Sequence, residues 1–114
     1  MNILMVVPYR GFNENDIDIA VKNTGWNITS ITVEMEAIRG SRPITHRYAA
    51  NKELPIFSPV RTSDVIQYMN GLVKSVDGVM IFWDGGGKKT EFILSTAKVS
   101  SKPYYIHTKE DDDD

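Results

Sequence analysis

Residues 84–90, Asp-Gly-Gly-Gly-Lys-Lys-Thr, place an acid, three glycines, two ammonium groups and a hydroxyl directly after the apolar run Val79–Trp83. Glycines let backbone N–H groups come close to a ligand, and a helix opening just beyond them adds unpaired amides and a positive dipole end. Lysines at such a helix start oppose the dipole by roughly a few tenths of a kcal/mol each, and a bound anion reverses that sign. The chemistry on offer is anion capture: main-chain amides at Gly85, Gly86 and Gly87, charge at Lys88 and Lys89, and a hydroxyl at Thr90. Asp84 is placed either to accept from ribose hydroxyls or to cap the turn, and Trp83 either to offer a flat face or to complete the core. The string matches neither the phosphate loop G-x-x-x-x-G-K-[ST] nor G-x-G-x-x-G.

Two other stretches carry suitable groups. Tyr9 and Arg10 follow the apolar run at residues 2–7, and Glu34, Glu36, Arg39, Gly40 and Ser41 follow a β-branched run. Guanidinium forks pair bidentately with phosphate or carboxylate, which makes Arg10 and Arg39 the stronger anion ligands. Glu34 and Glu36 are the carboxylates available for acid–base work, though no catalytic residue is assigned. His46, a lone helical histidine, reads as structural or solvent-facing rather than catalytic, His107 closes the last strand, and Ser41 lacks a G-x-S-x-G elbow. With no cysteine and no cluster of histidines, neither a protein-built transition-metal site nor a bound cofactor is expected.

These groups converge only if the chain folds as alternating strands and helices. Residues 2–7 form an unbroken apolar strand, and Asn13 caps a helix that Gly25 stops. Residues 27–35 are a second strand, 42–52 a helix with Pro43 in its first turn, and 54–57 a short third strand. Ser63 or Thr62 caps a third helix whose apolar residues Val65, Ile66, Met69, Leu72, Val73 and Val76 keep a helical period. Val79–Trp83 is an interior strand, 90–101 a helix and 104–107 the last strand. About five parallel strands with four helices predict an α/β fold, a three-layer Rossmann-like sandwich whose ligand site lies beyond the carboxyl ends of the strands.

The chain of 114 residues is long enough for one core, read here as a single domain over 1–108 with an acidic, disordered tail over 109–114. Glu110–Asp114 hold five of the fifteen acids, leaving thirteen Lys and Arg against ten acids in the rest of the chain. That excess suits an anionic partner. A cytoplasmic location is expected, since the first apolar run lacks the flanks of a signal peptide and no run approaches a membrane span.

The stretches "IRGSRPITHRYAANKELPIFSP", "VKSVDGVMIFWDGGGKKTEFILSTAK" and "KPYYIH" resemble the SLOG superfamily, the Rossmann-like group that includes DprA and the Lonely Guy phosphoribohydrolases, and above all its small stand-alone members. The likeness runs from about Val33 to His107. It implies a site for a nucleotide-derived ligand at Arg39, Gly40, Trp83, Asp84, Gly85 and Thr90. The departures are informative. Pro8, Tyr9 and Arg10 stand where relatives have G-S-R, Met35 and Glu36 where they have G-G, and Lys89 before Thr90 where they have G-T. Catalytic relatives carry P-G-G-x-G-T-x-x-E, and Ile93 occupies the position of that glutamate.

Binding of a nucleotide or nucleotide-derived small molecule, by sensing or sequestering, is therefore the first expectation. The alternative is an enzyme that cleaves or transfers an N-glycosidic bond with Glu34, Glu36 or Asp84 as its carboxylate. Single-stranded nucleic acid suits the arginines and aromatics but not the modest body charge. A chain this small leaves little pocket depth, so a homo-oligomer, dimer or larger, that completes the site across subunits is expected, with no membrane partner.

Overall fold

Apolar runs bounded by Pro, Gly and Asp produce the strands, and each of the first four is followed by a helix. The computed structural model describes residues 1–8, 11–34, 44–85 and 87–108. In chain order the elements are β1 (Asn2–Val6), α1 (Glu14–Thr24), β2 (Ser30–Thr32), α2 (Ile44–Asn51), β3 (Ile56–Phe57), α3 (Val65–Ser75), β4 (Gly78–Trp83), α4 (Lys88–Val99) and β5 (Tyr104–Thr108). The five strands form one sheet in the order β3-β2-β1-β4-β5, and every pairing is parallel. Parallel strands need crossover connections, and the helices supply them while covering both faces. The expected Rossmann-like sandwich is what forms.

Alternation along the strands divides the core in two. Ile3, Met5, Ile31, Val33, Met80 and Phe82 face Ile17 and Ala20 of α1 and Tyr48 and Ala49 of α2. Leu4, Val79 and Ile81 face Tyr68, Met69, Leu72 and Val73 of α3 and Ile93 and Ala97 of α4. β1 takes the middle of the sheet, with β4 beside it and equally enclosed.

Local chemistry sets the helix ends. Asn13 and Asp16 form a reciprocal capping box at α1, and Gly25 closes that helix at φ 68°, a conformation glycine adopts without strain. At α3 the expected cap is corrected: Asp64, not Ser63 or Thr62, accepts the amide of Gln67, because a carboxylate aimed at a helix start outcompetes a neighbouring hydroxyl. Thr62 instead donates its hydroxyl to the Asp64 carbonyl. The stripe on α3 is also shorter than expected, since Val65 and Ile66 are exposed and burial begins at Tyr68.

Polar contacts join α1 to α2. Asn51 donates to Glu14 at 2.7 Å, and Asp18 lies 3.1 Å from the Lys22 ammonium and 3.4 Å from that of Lys52. The hydrogen bond from Lys22 holds the Asp18 carboxyl below its usual range, with Lys52 adding to the effect. A lowered carboxylate value contributes stability that is present at neutral pH and lost as pH falls through it. Asp18→Asn should therefore flatten the acid limb of the pH–stability curve, read by urea denaturation. Asp64→Ala should cost about 1 kcal/mol in the same assay while Ser63→Ala leaves stability unchanged.

Candidate functional site

Strand order reverses between β1 and β4: the chain leaves β1 toward β2 and β3, then crosses back to β4 and β5. In an open parallel sheet the crevice beyond the carboxyl ends at such a point is where ligands sit. The end of β4 is the best-defined wall of that crevice. Trp83 is half-buried and packs against the α3/α4 core, so most of its indole completes that layer. Asp84 beyond it is exposed.

Gly85 then turns the chain at φ 112°, which an L side chain rarely adopts. Gly87 is extended and precedes α4, and a methyl group built on either glycine would touch nothing within 4 Å. Space is open around the turn.

The start of α4 differs from that of α1 and α3. Its N-cap residue, Gly87, has no side chain to cap with and supplies its carbonyl, to the amide of Glu91 at 2.9 Å. The first amides of any helix lack intrahelical partners, so an uncapped start presents donors and a positive dipole end outward. The helix begins at Lys88, two residues before the start expected from sequence, and both lysines and Thr90 thus belong to its first turn. Lys88 and Lys89 are exposed, and Thr90 is partly covered.

Lys89 is not simply solvated. Its ammonium lies 3.0 Å from Glu34 Oε2, at the end of β2. Since β1 lies between β2 and β4, this ion pair links the start of the helix after β4 to the end of a strand two places away in the sheet. The Glu34 side chain is only 16% exposed, and its Oε1 is buried without a hydrogen-bond partner. Lys89 and Glu34, named separately from the sequence, thus form one unit. The pair supplies part of the counter-charge that two lysines at a helix start require.

On the opposite face, Phe12, Phe82 and His107 form an aromatic wall with ring centroids 5.4 to 6.2 Å apart. His107 packs there against both rings. Phe12 was passed over at the sequence level; its signal was an aromatic immediately before a helix cap, beside Gly11 in the turn after the first strand. Tyr9, Arg10, Glu36, Arg39, Gly40, Ser41 and Gly86 lie outside the described residues. Among the described residues, no three His, Asp or Glu side chains come together as a metal site. Nor is any helix there long and apolar enough to cross a membrane. A shallow depression between α3 and α4, lined by Asn70, Lys74, Phe92 and Val99 among others, reaches the far end of α4 and is separate from the rim.

Among known proteins, no family model and no curated sequence matches this chain.

The Glu34–Lys89 pair is half desolvated and should be measurable. Glu34→Gln and Lys89→Met should each cost about 1 kcal/mol, and the double variant less than their sum, in a double-mutant cycle read by urea denaturation.

Proposed function

We propose that the protein binds a nucleotide or nucleotide-derived small molecule at the carboxyl rim, with the anionic group held by the start of α4. The observation that carries this reading is the uncapped, glycine-opened first turn of α4 at the strand-order reversal, where Lys88 adds charge and the adjacent space is open. An anion there completes what Asn13 and Asp64 provide at α1 and α3. The resemblance to SLOG proteins supports a nucleotide as the source of that anion, and Asp84 stands exposed at the same turn to accept from ribose hydroxyls.

Binding is favoured over turnover by the position of the carboxylates. An enzyme acting on the N-glycosidic bond needs an acid free to work on the ligand, and Glu34 is tied to Lys89 while Ile93 on α4 is fully buried in the core. Glu91, the acid in the first turn of α4, is exposed.

Native mass spectrometry of freshly purified protein should show a co-purifying anion. Prolonged incubation with nucleoside mono- and diphosphates should return them intact; released base that vanishes in Glu34→Gln would establish turnover instead. Replacing Lys88 and Lys89 together by Ala should weaken the bound nucleotide by roughly 1 to 3 kcal/mol in calorimetry. Unchanged affinity would remove α4 from the site.

A further inference from the structure

We propose that β5 is a dimerisation edge, on which a second copy of this chain adds its own β5 antiparallel about a two-fold axis at Ile106. β5 is five residues long and, among the described residues, is the terminal strand of the sheet, paired with β4 alone. The amide of Val79 donates to the Pro103 carbonyl at 2.9 Å, and in a parallel pair this fixes the parity of the strand: Pro103, Tyr105 and His107 turn their peptide groups toward β4. Tyr104, Ile106 and Thr108 therefore turn their N–H and C=O groups outward. The same three residues are exposed, Tyr104 at 42% and Ile106 at 36%.

That set complements itself. Under a two-fold axis at Ile106, Ile106 exchanges both bonds with its counterpart and Tyr104 does so with Thr108 of the second copy, making about six hydrogen bonds from groups that otherwise face water. Flat apolar edges of this length are usually blunted by charge, proline or a bulge. Here the exposed side chains are an aromatic, a β-branched aliphatic and a threonine, which suit a sheet interior. Lys98 does not blunt the edge, because its ammonium is held over the Tyr104 ring at 5.6 Å from the centroid.

Charge selects both the partner and the direction. Lys98 and Lys102 precede the strand, and the sequence after it runs Lys109, Glu110 and four aspartates. An antiparallel second copy sets the lysine end of each strand against the end from which the other copy's acidic sequence continues; a parallel addition would set like against like. The two carboxyl rims then open toward opposite ends of a continuous sheet. Each subunit keeps its own site, in contrast to the shared site expected from the chain's small size.

Ile106→Pro tests the edge cleanly. The Ile106 amide takes no part in the β4 ladder, so proline removes an outward donor and leaves the subunit's own sheet intact. Sedimentation equilibrium of the full chain should give a dimer for the unaltered protein and a monomer for Ile106→Pro, with the same far-UV circular dichroism. Should proline perturb folding, Ile106→Lys provides the second reading and should raise the dissociation constant about tenfold or more. Added salt should weaken the unaltered dimer. A monomeric unaltered protein, including one that takes up a strand from some other protein, overturns the proposal, as does a dimer that both variants leave intact.

Discussion

The ladder between β1 and β4 is the constraint on which the rest depends. It joins the two halves of the chain and makes the middle of the sheet inaccessible to water on either face. Its start is clamped by a reciprocal contact: the Asn2 amide donates to the Asp77 carboxylate, and the Asp77 amide donates to the Asn2 carbonyl, both at 2.8 Å. Close approach at the first rung also explains a glycine. A Cβ on Gly78 would lie 3.1 Å from Ile3 Cδ1 and 3.3 Å from the Pro103 carbonyl oxygen, so a side chain there would require β1 or the chain leading into β5 to give by a few tenths of an ångström.

The rim chemistry follows from this ladder. Joining β1 to β4 creates the strand-order reversal, and that reversal brings the start of α4 beside the end of β2 with β1 beneath. Lys89 and Glu34 stand about half the chain apart in sequence and are joined only through the strand order of the sheet. Their ion pair and the open turn at Gly85 and Gly87 are neighbouring features with opposite character, one already neutralised and the other still presenting donors. Lys88 adds its charge on the open side.

Much of the architecture was legible in the sequence because the signals are local. Unbroken apolar runs mark strands covered on both faces, and Asn13 and Gly25 are short-range capping chemistry that tertiary context did not override. The errors also have local causes. Three consecutive candidates, Thr62, Ser63 and Asp64, compete for one cap, and composition alone does not rank them. Two lysines after three glycines read as loop, whereas straight-chain residues enter a helix readily once glycine has turned the backbone. Val65 and Ile66 continue the period of α3 but stay exposed, so periodicity overstated burial. The Glu34–Lys89 pair was out of reach for a different reason. It depends on strand order, which alternation of elements leaves undetermined.

The clamp between Asn2 and Asp77 has a temporal side as well, because its partners stand 75 residues apart. Closing a loop of that length costs only about a few kcal/mol of chain entropy, but no rung of the β1–β4 ladder repays it until both strands meet, so the clamp belongs to the long-range contacts that slow folding rather than to those that start it.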